Sequence, residues 1–239
     1  MLKKILCLLL ALLLCLAVAA CKKDPVPEEE PTPDGEEEEE ENTLVAEGTF
    51  EGSSVTWCIR TDGTLYIGGT GVMPEFHDPT RSPVTPQDSP QPWALFRTGS
   101  GGVIRRVVVQ NGVTGLASYA FAYCPRIESV SLPESLTSLP ESCFAFCTDL
   151  SSVLGGVGLV TISDSAFSDC ERLSQLELSD ALQTVEFGSF TNAAQGADGL
   201  MVLFEGGADA WLAHKQVASI SQSGNTALLN ATAIDPAET

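Results

Sequence analysis

Hydrophobic positions recur with a fixed period in the middle of the chain. Phenylalanine occurs every 23 residues at Phe121, Phe144, Phe167 and Phe190, and other residues keep the same register. Such a period predicts a solenoid in which each unit buries its apolar face against its neighbours. Besides the phenylalanines, the register aligns three apolar columns and one column of small residues: Val113, Leu136, Leu159 and Leu182; Leu116, Leu139, Ile162 and Val185; Ile127, Leu150 and Leu173, with Gly196 in the last unit; and Ala120, Cys143, Ala166 and Ser189.

Each unit contains one segment typical of a strand. The stretch around Val130 to Leu132 alternates between apolar and polar residues and ends at Pro133, which is typical of a half-buried strand. Stacked copies would pair into a parallel sheet with a spacing of about 4.8 Å. The Ala-Phe-x-x-Cys segment of each unit predicts a helical turn or short helix on the opposite face. The four units cover 107–129, 130–152, 153–175 and 176–198.

The order of these features resembles the BspA-like class of leucine-rich repeats. A valine-rich strand, a proline, Leu-Thr-x-Leu, Ala-Phe-x-x-Cys and Leu follow one another in the pattern of the units. The resemblance implies a leucine-rich-repeat solenoid, an α/β but strand-dominated fold with a parallel sheet on one face. It also implies a bacterial surface protein associated with adhesion. Residues 43–106 are similar to the small N-terminal β module that precedes such repeats, and 199–234 to their C-terminal cap.

Two units depart from the pattern, and the flanks have signals of their own. Gly155-Gly156 stands where a strand and a proline are expected, and Asn192 to Gly196 lacks the Cys and Leu. Asp62-Gly63, between alternating residues, predicts a β-hairpin. The proline-rich stretch 75–92 predicts a long irregular loop. The chain end, 235–239, is expected to be disordered.

The N-terminus predicts export and lipid anchoring. A short charged start precedes an apolar run from Ile5 to Ala20, which is typical of a signal peptide over residues 1–20. Val18 to Cys21 resembles the lipobox of bacterial lipoproteins, which implies a lipid on Cys21. An ordinary signal peptide with an incidental cysteine is the alternative. Residues 21–42 then predict a disordered acidic linker, with eleven acids against two lysines, a net charge of −9.

Charge restricts the class of partner. The chain has 32 acidic and 12 basic residues, a formal net charge of −20. Such a surface disfavours nucleic acid and anionic lipid headgroups, which are themselves polyanions. The sequence therefore predicts no nucleic-acid binding, a membrane attachment that depends on the lipid at Cys21, and a monomer.

Candidate chemistry is sparse, and no catalytic, cofactor or metal site is predicted. Cys124, Cys147 and Cys170 share one column, so a ladder of small buried side chains explains them. Zinc binding with Cys143 is the alternative, and disulfides involving Cys58 or the repeat cysteines are left open. His77 and His214 lie far apart in sequence, which gives little support to a catalytic triad.

The outward positions of the predicted strands form a candidate binding face for a protein or glycan. We expect a non-catalytic surface protein with an adhesin as one form of that role, and a structural envelope lipoprotein as the alternative. A polysaccharide-processing role receives weaker support because no catalytic motif is found. The candidate residues are Arg106, Gln110, Ser129, Ser131, Ser152, Gln175, Glu177 and Ser179, together with Val108 and Leu154.

Overall fold

The computed structural model describes residues 42–76, 91–96, 104–221 and 224–239 of the 239-residue chain. The predicted signal peptide, the lipidation site at Cys21 and the linker before Asn42 lie outside these residues. Most of the predicted proline-rich loop also lies outside them.

A nine-stranded sheet runs the length of the molecule. Its first three strands form an antiparallel meander with the predicted hairpin between the second and third, and every later strand adds in parallel. In sheet order the strands are β1 (Leu44–Thr49), β2 (Val55–Arg60), β3 (Thr64–Gly69), β5 (Arg106–Val109), β7 (Ser129–Ser131), β9 (Ser152–Leu154), β11 (Gln175–Glu177), β13 (Met201–Leu203) and β15 (Thr232–Ile234).

The sheet register follows the sequence repeat. Val107, Val130, Val153 and Leu176 pair in succession, which places equivalent residues of adjacent units side by side. The ladder extends beyond the repeats to Leu65 in β3 and to Val202 in β13. The prediction of a strand-dominated solenoid with a parallel sheet on one face is therefore confirmed.

Shorter strands form a second side of each coil. β8 (Ser138–Leu139), β10 (Thr161–Ile162), β12 (Thr184–Val185) and β14 (Ser219–Ile220) form a parallel four-stranded sheet. At the N-terminal end, β4 (Gly71–Val72) pairs with β6 (Val113–Gly115). The residues of the predicted apolar columns are buried between the sides of the coil, apart from Gly196.

The third side consists of turns, and the prediction of a short helix there is wrong. We define the turn segments as 117–124, 140–147, 163–170 and 186–193. Some N–H groups bond to the next coil, as Phe121 N does to Cys143 O (2.8 Å), and those between them close single turns, as Ala120 N does to Ala117 O (3.2 Å). The continuous bonding within one segment that defines a helix is therefore missing. Residues with positive φ, such as Tyr123 (59°) and Phe146 (62°), interrupt each segment. The apolar spacing mimics a helix because residues such as Phe144 and Cys147 are both buried three positions apart.

The phenylalanines stack into a continuous ladder with closed ends. Neighbouring rings lie 5.1–5.6 Å apart. Trp93 stacks on Phe121 at 5.6 Å, and its indole N–H donates to Ala120 O (3.1 Å). At the other end, the buried Asn225 accepts from Phe190 N through Oδ1 (3.1 Å). Residues outside the repeats therefore close both ends of the core.

The Gly155-Gly156 departure is accommodated by close packing between coils. The strand β9 still forms, and Gly155 follows it with φ 78°. A Cβ on Gly155 would lie 2.1 Å from Leu132 O. The side chain of Glu177, in the next coil, accepts a hydrogen bond from Gly155 N (2.6 Å). This unit therefore uses a glycine and a neighbouring carboxylate in place of the usual proline.

The C-terminal part contains α1 (Gly207–Val217) and α2 (Thr226–Leu229), and its last residues are ordered. The prediction of disorder over 235–239 is wrong. The Asp235 carboxylate accepts from Ala237 N and Gly206 N (2.9 Å each), which caps a 3-10 turn at Pro236–Glu238 and ties it to the start of α1. Among the described residues, no helix has the length and apolar character needed to cross a bilayer.

Candidate binding surfaces

The predicted binding residues lie on the outward side of the main sheet. Arg106 and Ser131 are exposed, whereas Gln110, Ser129, Ser152 and Gln175 are half-buried. The register aligns Arg106, Ser129, Ser152 and Gln175 in one row across four adjacent strands. We call this outward side the sheet face. It also carries the apolar side chains of Leu154 and Met201, which are 39% and 37% exposed.

Two predicted residues of the sheet face have structural roles. Glu177 holds the backbone of Gly155, as described above. Ser179 Oγ donates to Val157 O and accepts from Ala181 N (3.2 Å), so its hydroxyl stabilises a turn. A partner could contact these side chains only by competing with those bonds. The sequence pattern identifies outward positions, but it contains no signal for hydrogen bonds from these side chains to the backbone of a neighbouring coil.

Cations gather at the edge where the main-sheet strands begin. Arg105 pairs with Glu128 (2.7 Å), Arg106 with Asp62 (3.7 Å) and Arg172 with Asp149 (3.0 Å). The arginine side chains remain 53–72% exposed in these pairs. Exposed pairs of this kind contribute about 0–1 kcal/mol each. Each pair joins one cation to one carboxylate, so the pairs leave the local net charge unchanged and add little to the stability of the fold.

The repeat cysteines form a buried column of thiols. Cys147 Sγ donates to Phe121 O (3.2 Å), and Cys170 Sγ donates to Phe144 O (3.1 Å) in the preceding coil. Burial raises the pKa of Cys143 and Cys147 well above the ordinary value and that of Cys170 to about 12. Thiols held in the protonated form are poor nucleophiles and poor metal ligands. Within the described ranges, no three side chains of the metal-binding types converge on a common point.

A cleft of about 610 Å³ lies between α1 and the segment after β11. It is lined by Asp180, Glu205 and His214 among mostly small or apolar side chains. His214 Nε2 is 2.8 Å from Leu182 O, and the imidazole ring packs 5.2 Å from Phe204. The imidazole therefore helps to hold α1 against the last coil, and the other predicted histidine, His77, lies outside the described residues.

Aromatic side chains mark a second surface that the sequence reasoning did not identify. We call the outer side of the turn segments the turn face. Tyr123 and Phe146 stack on it with ring centroids 4.6 Å apart and planes 11° apart. Phe146 is 39% exposed, and Phe187 is 60% exposed. Phe146 lies only two positions after the buried Phe144, so the two phenylalanines of this segment belong to different columns with different environments.

The strand, turn and stacked core of each coil define a leucine-rich-repeat solenoid. Residues 101–195 match the family model described as BspA type Leucine rich repeat region, in six copies. The repeat region of this chain therefore belongs to the BspA type of leucine-rich repeats.

Solved structures of bacterial leucine-rich-repeat proteins also resemble the chain. One is a leucine-rich repeat protein from Eubacterium ventriosum (19% identity, TM-score 0.46), and the match covers 72% of this chain and 43% of that one. Another is the leucine-rich repeat protein of T. pallidum (20% identity, TM-score 0.41), with 65% and 71% covered. The chain thus spans less than half the length of the Eubacterium protein. No curated protein matches it.

Proposed function

We propose that this chain is an exported, lipid-anchored protein of the bacterial surface that acts as an adhesin, binding a protein or glycan partner without catalysis. The sheet face is the proposed contact surface. The observation that carries the proposal is the division between buried and exposed positions in each coil. The apolar columns are buried in the core, whereas one outward row has a different side chain in each coil, with Val108, Ser131 and Leu154 at the same register.

The chemistry of the sheet face suits a partner that forms hydrogen bonds. Ser129, Ser131 and Ser152 are hydroxyl-bearing and lie beside the exposed Leu154. Extended faces of repeat proteins serve as binding surfaces in general. Small hydroxyl residues lack the large anchors of a tight interface, so we expect modest affinity at each site. Display of several copies on one cell would raise the overall avidity.

The geometry at the N-terminal end is compatible with a tether to a lipid. Asn42, the first described residue, accepts from Arg60 Nη1 (2.7 Å) beside β1, the outermost strand of the main sheet. In the proposal, the acidic linker continues from this corner to the lipid on Cys21. The C-terminal cap is then the part of the fold farthest along the solenoid from the attachment point.

Protease treatment of intact cells tests the display of the protein. We expect external protease to remove the wild-type protein from intact cells and Cys21→Ser to release it from membranes. Protection of the wild type in intact cells, with degradation only after lysis, would instead support a structural envelope lipoprotein. Retention of the Cys21→Ser protein on membranes would refute lipid anchoring.

Binding to immobilised matrix proteins and glycans tests the contact surface. The variant Ser131→Lys/Leu154→Lys places two long charged side chains on the sheet face and should abolish binding of the wild-type ligand. Thr137→Lys/Gln183→Lys adds the same charge at exposed positions beside the second sheet, just before β8 and β12, and serves as the matched control. Equal binding by both variants would exclude the sheet face as the contact surface.

A further inference from the structure

Two stacked aromatic residues of the turn face, the half-buried Tyr123 and the exposed Phe146, occupy strained backbone positions. Tyr123 and Phe146 have φ values of 59° and 62°, and the equivalent residues of the next two coils are Asp169 and Asn192. Asn and Asp tolerate this left-handed conformation, whereas it costs other residues about 1–2 kcal/mol. Phe146 recovers only part of that cost by burial because 39% of it remains exposed. Burial and backbone conformation therefore give little reason for a phenylalanine at position 146.

Charge is distributed unevenly around the coil. The four turn segments contain Glu141, Asp164, Asp169 and Glu186 but no lysine or arginine. Among the six cations of the described part, Lys215 lies in the C-terminal cap, and the others lie at or just before the strand starts of the main sheet: Arg60, Arg105, Arg106, Arg126 and Arg172. The turn face is thus purely acidic, and the chain as a whole carries a net charge of −20.

The acids of the turn face lie among its aromatic rings. Tyr119 donates its hydroxyl proton to Glu141 Oε1 (2.9 Å). The Asp169 carboxylate follows Phe146 in the same column and accepts from Asn192 Nδ2 (2.9 Å). Carboxylates beside aromatic faces attract ammonium and guanidinium groups, which bind when they lie within about 6 Å of a ring centroid. A negative potential also accelerates the approach of cationic partners.

We propose that the turn face binds a lysine- or arginine-bearing segment of another protein. Cationic side chains stack on Tyr123 and Phe146, and Glu141 and Asp169 pair with neighbouring cations of the same segment. This surface is separate from the sheet face, and its use does not depend on lipid anchoring or on display outside the cell.

A peptide-binding experiment with the full chain in detergent tests this assignment. The probe is a fluorescent peptide of alternating arginine and glycine, and its counterpart replaces each arginine with uncharged citrulline. Fluorescence anisotropy measures both affinities. The variant Tyr123→Asn/Phe146→Asn removes both rings without changing the charge and installs a residue that the column already contains at Asn192. Two lost cation–π contacts predict a weakening of about five- to thirtyfold.

Two controls separate ring recognition from general attraction to an acidic chain. Leu44→Asn/Val45→Asn removes exposed apolar side chains from β1, far from the turn face, and should leave the affinity unchanged. Replacement of Glu36 to Glu41 with glutamine should weaken the binding of every variant by the same factor. If Tyr123→Asn/Phe146→Asn fails to fold, Glu141→Gln/Asp169→Asn provides the second test, with weaker binding and a smaller dependence on salt.

The assignment is supported if ring removal weakens binding of the arginine peptide and the citrulline peptide binds poorly. Equal affinity of the wild type and the ring variant would overturn it. The assignment would also be overturned if the citrulline peptide bound as tightly as the arginine peptide. The same holds if the wild type bound a neutral oligosaccharide and the ring variant did not, since either outcome would assign the rings to an uncharged partner.

Discussion

The phenylalanine ladder makes a sharp prediction about two residues of the same type in one turn segment. Phe144 is completely buried between Phe121 (5.1 Å) and Phe167 (5.6 Å), with ring planes within 12° of parallel on both sides. Phe146 stacks on Tyr123 alone and is 39% exposed. Phe144→Ala and Phe146→Asn therefore remove similar rings from different environments.

The expected magnitudes follow from burial and backbone conformation. Removal of a buried phenylalanine side chain costs about 3–5 kcal/mol of unfolding free energy, and the loss of two stacking contacts favours the upper end. For Phe146→Asn, the lost stack costs about 0.5–1.5 kcal/mol. Relief of the left-handed strain at φ 62° returns about 1–2 kcal/mol, which offsets this loss and part of the lost burial. We expect a net change within about 1 kcal/mol.

Equilibrium urea unfolding, followed by far-ultraviolet circular dichroism, measures the difference. With a slope of about 1–3 kcal/mol per M urea, Phe144→Ala should lower the midpoint by about 1–3 M. The midpoint of Phe146→Asn should stay close to that of the wild type. Equal shifts for the two variants, or a larger shift for Phe146→Asn, would refute the separation of a buried ladder from an exposed pair.

Other predictions concern the coil contacts, the ends of the ladder and the thiols. Gly155→Ala should lower the unfolding free energy by about 2–4 kcal/mol because the new Cβ would meet Leu132 O. Gly52→Ala, with open space around the new Cβ, should lower it by about 1–2 kcal/mol, and the urea midpoints of the two variants measure the difference. Asn225→Ala should cost about 2–4 kcal/mol, measured in the same way, because it leaves the buried Phe190 N–H without its side-chain acceptor. Trp93→Phe keeps the stack but loses the bond to Ala120 O, so its cost should be about 1 kcal/mol, well below that of Trp93→Ala in thermal unfolding. Iodoacetamide at pH 8 should label Cys143, Cys147 and Cys170 only after unfolding, which mass spectrometry would detect. Their thiols ionise near pH 9 in the unfolded chain but only at higher pH in the folded protein, so the unfolding free energy should fall as the pH rises from about 9 towards 12.

The solenoid was predictable from the sequence because its columns are one-dimensional. A residue at position i in one coil contacts position i in the next, so 23-residue spacing translates directly into core contacts such as Leu139 beside Ile162. The alternation around Val130 likewise predicted which strand residues face the core, and Val107, Val130 and Val153 are buried as expected. Periodicity therefore predicts the inner side of each coil well.

Features that depend on backbone conformation, or on hydrogen bonds between a side chain of one coil and the backbone of another, were not predictable in this way. The turn segments place apolar residues at helix-like intervals, yet Tyr123 and Phe146 have positive φ, which no spacing reveals. The bond from Gly155 N to Glu177 joins residues 22 positions apart in a unit that departs from the pattern. As a result, Glu177 was predicted for the sheet face without its structural role, and the turn face was not predicted at all.

The two ends of the ladder explain how a repeat with no intrinsic limit forms a core of fixed length. Inside the array, each phenylalanine N–H donates to the next coil, as Phe144 N does to Ala166 O (2.9 Å). The first coil lacks a preceding donor, and the Trp93 indole supplies both that N–H and a ring for the stack. The last coil lacks a following acceptor, and the Asn225 amide oxygen takes its place beside Gly224 O. Because both residues reproduce the bonding of a further coil while blocking its addition, the phenylalanine ladder and the turn face end at these residues, whereas the main sheet continues into the terminal modules. A partner that needed more coils than lie between Trp93 and Asn225 would have to contact the terminal modules as well.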